Sequence, residues 1–302
     1  MHIPDGFLAA PVWLSLDAAG LPLVGYLARR AQREADEAKV PLLGVMGAFV
    51  FAAQMINFPV GVGTSGHLLG AALLAVTLGP AAAGVVMAAI LAIQALIFQD
   101  GGVLALGANV VNMAVAGVAA GYLPYRLWGG GGFRRAAIFL GGFLSVLVGA
   151  VLAIAELLLS GVTIPRAVLW VSLGLFGVTG LLEGAITVAV VQGLEALGIR
   201  LARPATPALR RGLAAVALAA VLLAAVGVLF ASTHPDGLEK LARTIGLEAR
   251  ARTLYATPLA DYSLRWLGSS WVAQATAGLL GLALIWGLAV AVGRLVARRR
   301  SG

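Results

Sequence analysis

Nine apolar segments, most of them near the length of a membrane-spanning helix, constrain the fold of this chain more than any other feature of its sequence. Of the 302 residues, 61% are hydrophobic and 11% are charged, whereas soluble domains carry about 25% charged residues. A spanning helix needs roughly 20 mostly apolar residues. The sequence therefore predicts an all-α polytopic membrane protein. The expected spans are 10–28, 40–58, 67–79, 81–98, 108–127, 135–159, 167–195, 212–231 and 270–293.

A basic, proline-containing stretch at 196–211 divides the chain into two parts. We expect residues 1–200 to form a seven-helix membrane domain and 201–211 to form a cytoplasmic linker. Residues 212–302 then form a second domain of two spans, joined by an outer loop with a short amphipathic helix near 237–246. The third and fourth spans are short and are split at Gly79-Pro80, as in a helical hairpin that just crosses the membrane.

The distribution of basic residues predicts the orientation. With the N-terminus outside, 15 of the 21 Lys and Arg residues fall in the inner loops and tail. This split obeys the positive-inside rule, so the prediction is a multi-pass cell-membrane protein with a cytoplasmic C-terminus. Because Lys and Arg are absent before the first span, which ends at Arg29-Arg30, a cleaved signal peptide is not expected.

Composition also excludes several classes of function. The chain has no cysteine, so disulfides, thiolate metal sites and cysteine nucleophiles are excluded. The net charge of +8 comes from short basic runs that flank the apolar segments, which is not the pattern of a nucleic-acid-binding surface. Neither Lys39 nor Lys240 is followed by Ser or Thr, so the chain lacks a P-loop for ATP.

The opening residues, MHIPDG, suggest a metal chelate. A free Met1 amine, the peptide nitrogen of His2 and its ring Nδ1 can close two fused chelate rings in one plane. His67, at the outer end of the third span, could supply a fourth nitrogen. A planar four-nitrogen set suits Ni(II) or Cu(II) and does not suit tetrahedral Zn(II). The residue types leave an alternative open, in which His2 is incidental, His67 is a hydrogen-bonded contact and residues 3–6 form a simple turn.

Other polar residues gather at the outer half of the predicted bundle, where uncompensated polar groups are costly. Asn57, Asn109 and Asn112 are interpreted as groups that hold the loop and orient the His67 ring, with helix–helix hydrogen bonding as the alternative; Asp100 lies beside them. Glu183 could balance metal charge or pair with a polar neighbour. Packing roles are expected for Gln54 and Gln94, and a solvated loop position for His234.

Three motifs resemble one family of metal importers. MHIPDGFL, FVFAAQMINFPVGVGTSGHLLG at 49–70 and FQDGGVLALGANVVNMAVAG at 98–117 are similar to the NikM/CbiM family, the metal-capturing S component of energy-coupling-factor (ECF) nickel/cobalt importers. The resemblance covers about residues 1–200. The tail, with HPDGLE at 234–239, resembles the small NikN/CbiN partner, here fused into the same chain.

The resemblance implies a function for the whole chain. It implies capture of Ni²⁺ or Co²⁺, as transported substrate, through Met1, His2 and His67, with no enzymatic activity and no prosthetic group. It also implies a transmembrane coupling (T) subunit and cytoplasmic ATPase subunits as partners. We favour nickel because of the planar nitrogen set; a cobalt importer that feeds cobalamin synthesis is the alternative. An ion-coupled secondary carrier and an intramembrane metalloenzyme are the less favoured hypotheses, since the sequence shows neither an internal repeat nor an H-E-x-x-H motif.

Overall fold

Helices make up most of the chain. The computed structural model describes residues 1–34, 40–61, 63–199, 207–268 and 270–298. The α-helices are α1 Ala10–Glu34, α2 Val40–Gln54, α3 Ala71–Leu78, α4 Pro80–Ile93, α5 Leu106–Asn109, α6 Val118–Trp128, α7 Arg134–Leu159, α8 Arg166–Ala196, α9 Pro207–Ala225, α10 Gly237–Thr244 and α11 Trp271–Arg298. A two-stranded antiparallel hairpin, β1 Phe58–Gly61 and β2 Thr64–Gly66, lies between α2 and α3.

Each of the nine predicted spans coincides with helix, which confirms the all-α membrane fold. Among the described residues, seven helical stretches are long and apolar enough to cross a membrane. They are Ala10–Glu34, Pro80–Phe98, Leu106–Trp128, Arg134–Leu159, Arg166–Ala196, Leu209–Leu229 and Trp271–Arg294. The remaining two predicted spans correspond to the shorter helices α2 and α3.

The two helices of the predicted helical hairpin at Gly79-Pro80 differ in length. The eight residues of α3 extend only about 12 Å at 1.5 Å per residue. By contrast, α4 continues into a π-helical turn, Gln94–Phe98, and together they reach spanning length. The fourth span therefore has almost the predicted bounds of 81–98, whereas the third, predicted at 67–79, is helical only over Ala71–Leu78. Pro80 occupies the first turn of α4, where its missing N–H costs no hydrogen bond.

The predicted linker also differs from the structure at its C-terminal end. Residues 200–206 lie outside the described part of the chain, but 207–211 belong to α9. A proline is compatible with the first position of a helix, so Pro207 begins α9 instead of interrupting it. The short helix expected near 237–246 is present as α10, capped by Asp236 and Glu239 in a reciprocal capping box.

The helices α9 and α11 of the C-terminal tail pack on α2 and so attach the tail to the N-terminal body. Glycines make the close approach possible: a Cβ at Gly281 would lie 2.4 Å from the Phe51 ring, and one at Gly44 would lie 2.7 Å from the side chain of Val290. Small residues allow this kind of contact between membrane helices. The loop between α9 and α11 is thereby held over the end of the body where the N-terminal segment lies.

Candidate metal centre

The N-terminal segment is irregular, yet it is buried at one end of the body. Ile3 is fully buried, and its N–H donates to Asn109 Oδ1 (2.8 Å) while its carbonyl accepts from Asn109 Nδ2 (3.1 Å). Gly102 N–H donates to the same carbonyl (2.8 Å). Buried backbone polar groups need such partners. Asn109 therefore fixes the position of the two residues that precede Ile3.

Asp5 and two glycines complete this anchoring. The Asp5 carboxylate accepts hydrogen bonds from the backbone N–H groups of Val103 (3.0 Å) and Leu104 (2.8 Å). A Cβ at Gly102 would lie 2.5 Å from Asp5 N, and Gly101, at φ +92°, lies against the His2 side chain. The Gly-Gly pair is thus required for the loop after Asp100 to approach the N-terminus.

The Met1 amine meets His67 in the buried interior of this site. Met1 N lies 2.8 Å from His67 Nε2, although the two residues are separated by 66 positions in sequence. Both side chains are buried. His2 lies beside them, and its ring stacks on that of His67 with centroids 5.5 Å apart and planes 6° apart. The structure therefore brings together the three residues predicted to ligate metal.

The segment that carries His67 is held from both sides. His67 Nδ1 lies 3.0 Å from the carbonyl of Leu68, a hydrogen bond that leaves Nε2 as the nitrogen facing Met1. The Glu183 carboxylate accepts from the N–H groups of Leu69 (2.7 Å) and Gly70 (2.8 Å). Of the two roles considered for Glu183, the structure shows pairing with polar neighbours, namely backbone N–H groups that fix the His67 loop.

A residue of the tail completes the surroundings of the amine. Asp236 Oδ2 forms an ion pair with Met1 N and lies 3.8 Å from His67 Nε2. Its other oxygen, Oδ1, accepts from the N–H groups of Leu238 and Glu239 (2.8 Å each) and so caps α10. The β1–β2 hairpin holds the residues before α10 in place, because Ser65 N–H donates to the carbonyl of Pro235 (2.8 Å).

The His2 ring contacts Asp100, whereas the Met1 amine and the His67 ring contact each other. Its Nδ1, the atom expected in the chelate, lies 3.1 Å from Asp100 Oδ1, and its Nε2 is buried without a hydrogen-bond partner. Tyr262, also from the tail, donates to Asp100 Oδ2 (2.6 Å). In this ring orientation, Nδ1 of His2 is occupied by its contact with Asp100.

The charges around the site favour a neutral His67 and ionised carboxylates. Burial, followed by the Met1 ammonium, lowers the pKa of His67 to about 4. Burial alone would raise the pKa of Asp236, but the Met1 ammonium and His67 lower it to about 2. Burial likewise opposes ionisation of Asp100, yet His2 and Tyr262 hold its pKa well below the usual range. At neutral pH the Nε2 of His67 is consequently unprotonated, and its lone pair faces the Met1 amine.

The remaining predicted residues lie around this centre in different ways. Asn112 donates to Glu156 Oε2 (2.9 Å) on α7, and the carbonyl of Asn57 accepts from Ser232 N (2.8 Å) in the tail. Neither contact reaches the His67 ring, so a supporting role there stays a prediction for both. His234 is exposed, as expected, while its carbonyl accepts from Ser65 Oγ (2.7 Å).

Sequence reasoning missed Asp5, Asp236 and Tyr262 as parts of the site. Asp236 had one usable signal, the D-x-x-E spacing of a capping box, but that spacing predicts a helix start and not a contact with Met1. Within the described residues, no cluster of three or more His, Asp or Glu side chains is arranged to hold a metal. Any metal held here would need the main-chain nitrogens that the chelate hypothesis uses.

The helical bundle is that of a multi-pass membrane protein, and the nitrogen atoms gathered near Met1 are of the kind that bind transition metals. Comparison with known proteins identifies the family. Residues 2–201 match the CbiM family, described as the cobalt uptake substrate-specific transmembrane region, and residues 210–298 match the PDGLE domain. The chain belongs to the CbiM family of metal uptake transporters and carries a fused PDGLE domain.

Relatives that share both parts are named for nickel. The chain is 30% identical to the fused nickel transport protein NikMN of Rhodobacter capsulatus over the full length of both chains. It is 35% identical to an Archaeoglobus fulgidus protein provisionally named as a fused NikMN nickel transporter, over 97% of this chain and 98% of that one. The cobalt transport protein CbiM of Salmonella typhimurium is 38% identical over 49% of this chain and 61% of its own length.

Solved structures resemble the body. A crystal structure of a truncated transition metal transporter is 33% identical, with a TM-score of 0.57, and aligns over 65% of this chain and 99% of its own. A second transition metal transporter is also 33% identical, with a TM-score of 0.58, over 66% of this chain and 95% of its own. The helical body thus has the fold of a transition metal transporter.

Proposed function

We propose that this transporter is the substrate-capture subunit of an ECF-type importer for Ni²⁺. It takes the ion from outside through the Met1 amine, the His2 peptide nitrogen, His2 Nδ1 and His67 Nε2. The observation that carries the proposal is the 2.8 Å separation of Met1 N and His67 Nε2 inside a buried pocket. The domain division proposed with it is a capture domain at 1–200 and a PDGLE domain from about 207 onwards.

The separation of the two nitrogens fits neighbouring corners of a planar metal site. Two nitrogens that are each about 2.0 Å from a metal and at a right angle to one another lie about 2.8 Å apart. In a chelate through Met1 N, His2 N and His2 Nδ1, the fourth corner is adjacent to Met1 N. His67 Nε2 lies at that distance from the amine. This match supports a square arrangement, which Ni(II) accepts and Zn(II) disfavours.

Metal capture at this site would exchange protons for the ion. The Met1 ammonium contacts His67 and Asp236, and a metal must take the place of its protons because a protonated amine has no free lone pair. The His2 amide must lose its proton as well. Because His67 is already neutral at physiological pH, it contributes no proton. Binding is therefore coupled to proton release.

The tail supplies negative charge where the ion enters. Asp236 Oδ2 is within 4 Å of one proposed ligand and in contact with another, and its side chain is 14% exposed. An ionised carboxylate at the mouth attracts a divalent cation and raises its local concentration. We propose that the fused PDGLE domain in this way loads metal into the pocket of its own chain.

Nickel is favoured over cobalt by two observations. The planar nitrogen set suits Ni(II), and the relatives that align over nearly their entire length are named as nickel transporters. The description of the CbiM family supports cobalt as the alternative substrate. Uptake of both ions in competition, by cells that express the full transporter, distinguishes these two.

We propose that energy for uphill transport comes from partner subunits. The sequence has no P-loop, so we propose a transmembrane coupling subunit and cytoplasmic ATPases as partners. The basic residues support an outer N-terminus and a cytoplasmic C-terminus. Met1, His67, Asp100 and Asp236 all meet at one end of the bundle, as an outward-facing capture site requires.

A direct test is nickel uptake by cells that express this chain with and without the partner subunits of its own transporter. The proposal predicts uptake that requires both the partners and an intact His67. A matched cell line with His67→Ala provides the background. Uptake by the chain alone, driven by a proton gradient, would instead support a secondary carrier.

A further inference from the structure

A hydrogen-bonded chain connects the tail to the His2 ring. Tyr262 lies in the outer loop between α10 and α11, and its hydroxyl donates to Asp100 Oδ2 (2.6 Å). Asp100 Oδ1 is 3.1 Å from His2 Nδ1. The tail therefore contacts the body's proposed ligands through two separate residues: Asp236 at Met1, and Tyr262, by way of Asp100, at His2.

Tyr262 itself is firmly positioned. Its ring stacks on Phe98, with centroids 4.8 Å apart and planes 16° apart, and its hydroxyl accepts from Gln94 Nε2 (3.1 Å). Gln94 Nε2 also donates to Gln54 Oε1 (2.8 Å), and Gln54 Nε2 donates to the carbonyl of Leu69 (2.8 Å). The network thus joins the side chain that contacts His2 to the loop that carries His67.

The backbone at this point adopts a costly conformation. Asp261 and Tyr262 have φ angles of +55° and +52°, in the left-handed region that disfavours residues other than glycine. Such conformations persist where surrounding contacts fix them. The contacts of Tyr262 with Phe98, Gln94 and Asp100 supply that fixation.

The orientation of the His2 ring is the property that this network can control. Nε2 of His2 is buried and has no hydrogen-bond partner in the structure. Turning the imidazole by 180° about Cβ–Cγ exchanges Nδ1 with Cδ2 and Nε2 with Cε1, in nearly the same volume. Nδ1 then becomes available to a metal, and Nε2–H takes a place next to the one that Nδ1 occupied, on the side of Asp100. A carboxylate that accepts from the second ring nitrogen is the usual partner of a metal-bound histidine.

We propose that Tyr262 is a positioning residue for metal capture, which fixes Asp100 so that Asp100 orients the His2 imidazole toward the metal. This inference rests on the proposed function of the site and adds to it a defined task for the fused tail. The tail then helps to orient a metal ligand, in addition to the electrostatic loading proposed for Asp236.

The test is Ni²⁺ binding by the purified full-length chain, measured by titration and by the visible ligand-field absorption of the bound ion. Tyr262→Phe keeps the stacked ring and removes the hydroxyl. Tyr255→Phe is the matched control, since the hydroxyl of this second tail tyrosine donates to the carbonyl of Leu96 (2.8 Å). We expect Tyr262→Phe to weaken binding about tenfold and to shift the absorption band, as loss of an outer partner of a ligand does. Tyr255→Phe should change affinity by no more than about twofold.

A double-mutant cycle separates positioning from general destabilisation. Asp100→Ala should weaken binding by about 10–100-fold. If Tyr262 acts through Asp100, adding Tyr262→Phe to that variant should weaken binding no further. Additive losses, or wild-type affinity and an unchanged absorption band in Tyr262→Phe, would overturn the inference. His67→Ala, measured alongside, tests the underlying site: if it binds Ni²⁺ as the wild type does, the proposed function fails, independently of Tyr262.

Discussion

Asp236 Oδ2 lies 3.8 Å from His67 Nε2, while the other oxygen of the same carboxylate caps the N-terminus of α10. One side chain therefore both starts a helix of the tail and faces a proposed metal ligand of the body. The two tasks use different oxygens and depend on different properties. Capping needs an acceptor, whereas attraction of a cation needs a negative charge.

Asp236→Asn should separate these two tasks. Asparagine is a good helix N-cap, so α10 should remain folded, but the negative charge at the mouth is lost. We expect the association rate of Ni²⁺ to fall by about tenfold, because electrostatic steering raises on-rates by roughly 10–10³-fold. Stopped-flow mixing measures this rate. Glu248→Gln, the same charge change at an exposed residue of the loop, is the control; equal rates in both variants would argue against loading by Asp236.

His67→Ala should remove a ligand and leave the bundle folded. Its Nε2 faces Met1 N, and water is a weak replacement for an imidazole in a planar site. The loss of Ni²⁺ affinity should exceed the roughly 10–100-fold that follows loss of a ligand's outer partner. Isothermal titration measures the affinity. The control variant His234→Ala lacks an exposed histidine of the tail and should bind Ni²⁺ with wild-type affinity. Wild-type affinity in His67→Ala as well would show that His67 is not a ligand.

Acidification should weaken metal binding well before His67 is protonated. Because the pKa of His67 is lowered to about 4, this ring stays neutral between pH 8 and pH 5. Protons released from the amine and the peptide nitrogen compete with the metal, so affinity falls as pH falls, and His67 adds a further loss near pH 4. Titrations in buffers of different ionisation enthalpy count the released protons. Constant affinity from pH 8 to pH 5 would be incompatible with this ligand set.

A cut in the linker should leave the two parts together. The tail helix α11 packs on α2 through Gly44 and Gly281, and the loop between α9 and α11 contacts the N-terminal segment, where Arg252 N–H donates to the carbonyl of Asp5 (2.9 Å). We expect a protease site placed within 200–206 to yield two fragments that co-purify and bind Ni²⁺ normally. Removal of 207–302 should instead impair transport. Separation of the cut fragments in detergent, or full uptake without the tail, would contradict this account.

Much of the fold was predictable, because a lipid environment leaves few choices. Long apolar runs form helices there because this satisfies every backbone hydrogen bond within the segment, and all nine predicted segments overlap helices of the structure. The meeting of Met1, His2 and His67 could also be anticipated, since the orientation rule puts all three at one end of the bundle. The roles of Asp236 and Tyr262 could not be anticipated. Asp236 is 235 residues from Met1 in sequence and Tyr262 is 162 residues from Asp100, and both contacts depend on loops that have no periodic pattern.

Glu183 and Asn109 show the same limit at shorter range. A polar residue in a span signals a buried partner, but it does not say which one. Asn109 pairs with the backbone of Ile3 and Glu183 with the N–H groups at Leu69 and Gly70. Both partners are main-chain atoms of irregular segments, so residue types alone could not identify them.

The most direct measurement of the central claim is Ni²⁺ affinity of a chain extended ahead of Met1. Extension converts the amine that lies 2.8 Å from His67 into an amide, which has no lone pair to donate. The account predicts loss of Ni²⁺ binding by a chain with a single added residue, and normal binding by a chain with a tag after Gly302. Thermal melting of both variants shows whether each is folded, and mass spectrometry confirms that the extension is intact. Wild-type affinity in a folded, verifiably extended chain would contradict a metal site built on the Met1 amine.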